Sequence, residues 1–439
     1  MFALPLSRWL QARGIHYAWI VAAVAFLTML TAAATIGLPG AFLQPLAREF
    51  GWDIGQMSSA LAVRFALFGL LGPFAAVLMA RYGLRRIIGA AMLLIATGLA
   101  LATRMHALWQ FQLLWGVVLG IGSGLTALVL GATVANQWFE RRRGLVMGLL
   151  TASTATGQLV FLPLAAWLIE HHGWRVAVLP TLAMCALVIT LAAMLVRSRP
   201  EEIGLRPYGA DAAAPPPAAS TPPRRPRMGD PVTALVEALR NPMFWLLAGT
   251  FFVCGLSTNG LIQTHFISLC ADYGLAPVPA ASVLAMIGAF DFVGTIASGW
   301  LTDRYAARRL LFWYYGLRGL SLLWLPHSDF TLYGLSLFAM FYGLDWVATV
   351  PPTMRLANQS FERARVPMIF GWVFAAHQLG GAVAAYGGGL SRTVLASYSP
   401  ALYTAGVACL CAAVSMLVVR PRRPDAVAGA APAATRPAC

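Results

Sequence analysis

The chain has no lysine: all 31 of its basic residues are arginine, which leaves it without a readily titratable side-chain amine. Charge of either sign is scarce, at 11% of residues, against about 25% in a soluble domain. The glycine series Gly116, Gly120, Gly122, Gly124 and the group Gly380-Gly381, Gly387-Gly388-Gly389 follow no strand and meet no Gly-Lys-Ser/Thr. They read as close helix packing rather than as a phosphate loop. The six cysteines (Cys185, Cys254, Cys270, Cys409, Cys411, Cys439) sit mostly inside apolar runs without metal-ligand spacing, so neither a metal nor a cofactor is expected. A cleavable signal peptide is also missing. Arg8 and Arg13 precede an apolar run over 17–42, longer than the roughly 7–15 residues of a signal core, and this run reads as a first spanning helix. The longest polar stretch is a low-complexity linker, which argues against a membrane enzyme or sensor.

What remains is 59% hydrophobic, and it contains itself twice, about 223 residues apart. Gly37-Leu38, Leu46 and Glu49-Phe50-Gly51 recur as Gly260-Leu261, Leu269 and Asp272-Tyr273-Gly274. Arg81-Tyr82 with Arg85-Arg86 recurs as Arg304-Tyr305 with Arg308-Arg309. Asn136-Gln137-Trp138-Phe139-Glu140-Arg141 recurs as Asn358-Gln359-Ser360-Phe361-Glu362-Arg363. In an apolar chain, paired halves around a central site are the plan of a secondary transporter.

A membrane span needs about 20 largely apolar residues. Such runs lie near 17–42, 57–79, 87–103, 109–134, 144–169 and 176–196, then 244–269, 281–302, 310–325, 331–354, 366–390 and 399–419. The expected fold is all-α, with twelve transmembrane helices in two six-helix bundles. With a cytoplasmic N-terminus the inner segments hold 25 arginines and the outer loops four, Arg48, Arg104, Arg175 and Arg392. By the positive-inside rule both termini face the cytoplasm. This placement, rather than nucleic acid, accounts for the net charge of +15. The organisation is an N-terminal bundle over 1–196, a cytoplasmic linker over 197–240, a C-terminal bundle over 241–420 and a disordered tail over 421–439. Within the linker, 212–223 is an Ala/Pro-rich spacer, and Val232, Leu235, Val236 and Leu239 fall at helical spacing for a short helix on the inner membrane face.

The segment Gly299-Trp300-Leu301-Thr302-Asp303-Arg304-Tyr305-Ala306-Ala307-Arg308-Arg309 resembles the Gly-x-Leu-x-Asp-Arg-x-Gly-Arg-Arg signature of the major facilitator superfamily. Its first-half copy keeps Arg81, Gly83, Arg85 and Arg86 but has Ala76 and Ala80 for the glycine and the aspartate. The resemblance implies that Asp303, Arg304, Arg308, Arg309, Arg81, Arg85 and Arg86 form gating motifs. A latch built on the aspartate would be asymmetric, because Ala80 cannot make it. Trp138-Phe139-Glu140-Arg141-Arg142-Arg143-Gly144-Leu145-Val146-Met147-Gly148 is similar to the entry to span five in the monocarboxylate and oxalate/formate branch. Arg199-Pro200-Glu201-Glu202-Ile203-Gly204-Leu205-Arg206-Pro207 resembles its bacterial members after span six, and Asp291 resembles its intramembrane aspartate. Two cationic positions of that branch differ: Thr295 stands four residues after Asp291, and Gly40 follows Pro39 where a lysine is usual. Span four has Gly116 where proton-driven drug exporters place an arginine, and span five lacks their Gly-Pro-x-x-Gly-Gly.

Four ionisable residues fall inside spans: Arg64, Asp291, Arg318 and Asp345. Each costs about 2.5–3.5 kcal/mol at a helix centre on insertion scales, so each is expected to face a cavity or a partner. Two acids and two bases could also neutralise one another as fixed ion pairs. Arg64, on a span that lines the cavity in the superfamily, offers a fork that fits a carboxylate. Asp291 and Asp345 are candidate proton-coupling groups, and Arg318 a structural partner for either of them. Neutral polar residues join the substrate-binding set: Asn259 and Gln263, four apart on one helix face, His377 beside Gln378, and Gln158. The expected activity is proton symport of a small organic anion, a monocarboxylate, across the inner membrane by a monomeric carrier. The partners are the substrate, protons and membrane lipid, with no nucleic acid. The alternative is a proton-coupled exporter of drug-like or cationic metabolites.

Overall fold

The computed structural model describes residues 3–126, 128–210, 227–362 and 365–418. The middle of the linker and the tail after 418 lie outside the described residues. A short α1 (Ala3–Gln11) leads into the first half: α2 (Ala18–Phe50), α3 (Ile54–Tyr82), α4 (Leu84–Ala102), α5 (Leu108–Trp138), α6 (Arg143–His172) and α7 (Trp174–Leu195). The linker contributes α8 (Asp230–Ala238). The second half comprises α9 (Pro242–Asp272), α10 (Pro277–Arg304), α11 (Ala307–Trp324), α12 (Leu332–Asp345), α13 (Val350–Ser360), α14 (Val366–Leu395) and α15 (Ser399–Val418). Among the described residues ten segments are long and apolar enough to cross a membrane, which makes this a multi-pass membrane protein. The other two apolar runs are helical as well, as the 30-residue α6 and the 18-residue α11; α11 is made more polar by Arg308, Arg309 and Arg318.

The repeat is visible in how the helices end. Gly51 after α2 and its partner Gly274 after α9 take φ of 69° and 82°, a left-handed turn that glycine adopts at least cost. Both acids of the repeated motif are paired there, Glu49 with Arg175 at 2.6 Å and Asp272 with Arg392 at 2.8 Å. The linker helix α8 packs on α14, burying Pro231, Ala234 and Ala238, while Trp372 Nε1 donates to the Pro231 carbonyl at 2.8 Å. Val232, Val236 and Leu239 stay on its outer side.

The halves meet chiefly along α3 against α14 and α6 against α10. Small residues let the backbones approach, the usual solution where lipid gives no hydrophobic drive. A Cβ on Gly69 would stand 2.6 Å from the Gln378 Cβ, and one on Gly40 would stand 2.7 Å from the Gln263 carbonyl oxygen. At one end of the seam Asp53 Oδ1 caps α3 by accepting from Gly55 N at 2.6 Å. The same oxygen accepts from Thr393 Oγ1 of α14, so one carboxylate ties the two halves.

Besides α5, which is π-wound over Gln112–Val118, two helices depart from simple spans. The run expected over 331–354 is broken at 346–349 between α12 and α13. Pro351 and Pro352 have no N–H to offer the carbonyls of Val347 and Ala348, so the ladder stops there. In α9, Leu256–Gln263 is wound as a π-helix. Asn259 and Gln263 therefore do not share a face by ordinary helical spacing: Gln263 is buried and Asn259 half-buried. The i→i+5 geometry appears instead as Thr264 Oγ1 donating to the Asn259 carbonyl at 2.8 Å, and such windings recur at functional sites.

Candidate functional site

Arg64 sits mid-helix on α3 and is 3% exposed. Gly120 of α5 passes close enough that a Cβ there would lie 3.2 Å from the Arg64 Cα, so the helix is backed tightly and the side chain turns toward α2. Its Nη2 donates to Thr35 Oγ1 at 3.0 Å. No carboxylate pairs with it among the described residues. A guanidinium has five N–H donors, and burying it without a counter-ion costs several kcal/mol. Among the described residues the first half thus holds a desolvated cation without a counter-ion.

The second half treats its charges differently. Arg318 is 1% exposed, and its Nε and Nη2 donors converge on the break between α12 and α13 while Nη1 reaches α9. Nε donates to Asp345 Oδ2 at 2.8 Å, Nη1 to Cys254 Sγ at 2.9 Å, and Nη2 to the Trp346 carbonyl at 3.1 Å and also to the Asp345 carbonyl. Of its two expected partners Arg318 takes Asp345 and not Asp291, because Asp345 closes α12 directly beside it. Asp345 is therefore held in an ion pair.

Asp291, on α10, is 7% exposed and pairs with no arginine among the described residues. Its Oδ1 accepts from Val347 N at 2.9 Å and from Thr295 Oγ1 at 3.0 Å. One turn on, Ser298 Oγ donates to the Ala348 carbonyl at 2.5 Å. The backbone groups exposed by the break are thus met by α10 on one side and α11 on the other, as irregular backbone at membrane depth requires.

Unpartnered carboxamides lie along the seam between the halves. Gln263 is 4% exposed with both side-chain polar atoms unbonded, and Gln378 is 1% exposed with Oε1 unbonded. Gln263 Nε2 lies beside α2, 3.9 Å from where a Cβ on Gly37 would be, two residues from Thr35. Gln378 faces Gly69, and Phe65 faces Gly381, which brings α14 against the stretch of α3 that carries Arg64. The half-buried His377 stacks on Phe374 at 5.7 Å and lies beside the Cys254 thiol. The backbone of Gln158 lies within α6, and its side chain falls outside the described residues. Sequence reasoning placed Arg64, Gln263 and His377 in this region but missed Thr35, which looks like any spanning-helix threonine. It also left Cys254, Ser298 and the helix break out of the candidate set, although Pro351-Pro352 was a legible sign of the break.

The residues expected to form the gating motifs lie at the helix ends. Asp303 is exposed and has no ion-pair partner among the described residues, and with Thr302, Met354, Arg355, Asn358 and Gln359 it lines a crevice of about 880 Å³ between α10 and α13. Arg304 stacks on Trp300 at 3.9 Å, Arg308 Nε donates to the Met416 carbonyl at 2.7 Å, and Arg309 is exposed. In the other repeat Arg81 stacks on Tyr82 at 5.5 Å, with Arg85 and Arg86 exposed.

A duplicated helical membrane protein whose halves meet over buried polar groups is, by class, a transporter. The model of the Major Facilitator Superfamily matches residues 21–385, so the chain belongs to that superfamily and is not an enzyme. It is 26% identical over 409 residues to monocarboxylate transporter 13 of Bos taurus, covering 92% of this chain and 89% of that one. It is 24% identical over 371 residues to the uncharacterized MFS-type transporter YcxA of Bacillus subtilis, covering 80% and 82%. Among solved structures it resembles a bacterial homologue of the human lysosomal transporter Spinster, inward-facing and unoccupied. The TM-score there is 0.64 at 15% identity, over 92% of this chain and 95% of that one, a likeness of fold alone.

Proposed function

We propose that this transporter carries a small organic monoanion together with a proton across a bacterial inner membrane, by alternating access in a monomer of twelve spans with both termini cytoplasmic. The observation that carries the proposal is the buried, carboxylate-free guanidinium of Arg64 set against a second, arginine-free carboxylate at Asp291. Arg318 with Asp345 cancels to zero, which leaves one positive and one negative charge on opposite halves. Protonating Asp291 leaves a net positive site, and one carboxylate on Arg64 restores neutrality. Closing a low-dielectric site around an unpaired charge is opposed by several kcal/mol, so the halves rock when both ligands or neither are loaded. The monocarboxylate transporters among the relatives support the choice of substrate class, and the carboxamides of Gln263 and Gln378 favour an acid that carries a further polar group.

The test is uptake of a panel of labelled small carboxylates into proteoliposomes, with and without an inward proton gradient. Gradient-stimulated uptake of a panel member, lost in Asp291→Asn, is the expected result. Full gradient-driven uptake by Asp291→Asn would refute the proton role. Transport of a cation unaffected by replacing Arg64 would refute the anion site.

A further inference from the structure

The break between α12 and α13 exposes backbone groups at membrane depth, and three side chains fix how they point. Arg318 holds the carbonyls of Asp345 and Trp346, and Ser298 holds that of Ala348. With both neighbours pinned, the Val347 N–H is directed at Asp291 Oδ1 at 2.9 Å. Discontinuous spanning helices often use such freed carbonyls to hold a coupling cation; here the guanidinium fills that role from within the chain. We propose that Arg318 is a positioning residue: by clamping the break it aims the Val347 amide at Asp291 and thereby sets how readily Asp291 takes up a proton. The inference rests on the reading of Asp291 as the proton site.

The surroundings of Asp291 make this separable from simple electrostatics. Among the described residues the ionisable groups acting on it are Arg318 of α11, Cys254 of α9 and Asp345 of α12. The facing helix α6 has no ionisable residue between 144 and 169, and Arg355 of α13 turns away to the Tyr305 carbonyl at 3.3 Å. Removing Arg318 alone deletes a clamp and a charge together. Removing Arg318 and Asp345 together deletes the clamp but leaves the summed charge beside Asp291 unchanged. A hydrogen bond from an N–H favours the ionised carboxylate, so an amide that swings away makes protonation easier and moves it to higher pH. The size of a charge-assisted hydrogen bond sets the expected shift at about one pH unit.

The experiment is a pH titration of the full chain in proteoliposomes by infrared difference spectroscopy, reading the carboxylic-acid band that Asp291→Asn abolishes. Arg318→Lys keeps the charge and loses the planar fork, and it is expected to raise the midpoint by about one unit. The pair deletion Arg318→Met with Asp345→Asn is expected to do the same. If the pair deletion does not fold, Ser298→Ala releases the neighbouring carbonyl and should raise the midpoint in the same direction. An unchanged midpoint in folded Arg318→Lys overturns the inference. So does a shift in Arg318→Met that vanishes in the pair deletion, since that outcome belongs to charge alone. A wild-type protein with no band sensitive to Asp291→Asn would instead overturn the proton-site reading, and this inference with it.

Discussion

Replacing Arg64 by methionine separates an anchor from a strut. A strut is a charge whose partner is stranded when it leaves, and breaking a buried pair costs about 3–5 kcal/mol. Arg64 strands nothing. Its partner Thr35 Oγ1 already donates to the Ala32 carbonyl at 2.6 Å, and no carboxylate is left behind among the described residues. Methionine has similar length, fills much of the space the side chain occupies toward α2 and removes an uncompensated cation. The substrate-free protein should therefore be as stable as wild type or more so, by about 1 kcal/mol or above. Transport should move the other way. Truncating one side of a buried charge-assisted contact costs about 2–5 kcal/mol in binding, a loss of roughly thirtyfold or more in substrate affinity. The assay is a thermal unfolding scan with and without the transported acid, beside proteoliposome uptake. Wild type should be stabilised by the acid, and Arg64→Met should be insensitive to it and start from an equal or higher midpoint. A clear drop in the midpoint of substrate-free Arg64→Met, or uptake at the wild-type level, would refute the assignment.

Two further outcomes follow from the seam. Gly40→Val puts a side chain 2.7 Å from the Gln263 carbonyl oxygen and 3.3 Å from that of Thr264. Overpacking of this kind costs about 1–3 kcal/mol, so the closed seam should lose about fivefold or more in population. Paired spin labels flanking Gly51 and Gly274 should report the longer distance, and an unchanged distribution would show that this end does not open. Gln263→Leu removes a buried carboxamide with neither polar atom bonded, and Gln378→Leu removes one whose Oε1 is unbonded. Either should weaken the preference for hydroxylated over plain alkyl acids by about tenfold, measured as a ratio of uptake efficiencies. An unchanged ratio in both variants would place substrate recognition elsewhere.

The helical, duplicated, membrane-bound character was legible in the sequence because each rests on a signal that survives any packing: apolar runs, a fixed repeat offset and arginine placement. The intramembrane charges were legible for a similar reason, since a charge in lipid is costly wherever its helix turns. What the chain could not disclose was which charge meets which. Arg318 could have reached Asp291 or Asp345 by composition alone. The choice depends on α12 ending at Asp345, and that ending depends on Pro351 and Pro352 a few residues later. A hydropathy window runs through this break because Trp346, Val347 and Ala348 are as apolar as the helix before them. The same blindness hid Thr35, whose hydroxyl gains meaning only when α3 delivers Arg64 to within 3.0 Å. It also hid the π-winding of Leu256–Gln263, which no residue type in that stretch demands. Sequence thus reports the cost of each buried group, while the neighbours that offset the cost are fixed by helix ends and close glycine contacts. Where no neighbour offsets it, as at Arg64, the remaining cost is the strongest pointer to a ligand. That distinction between a paired and an unpaired buried charge appears only once the helices are assembled.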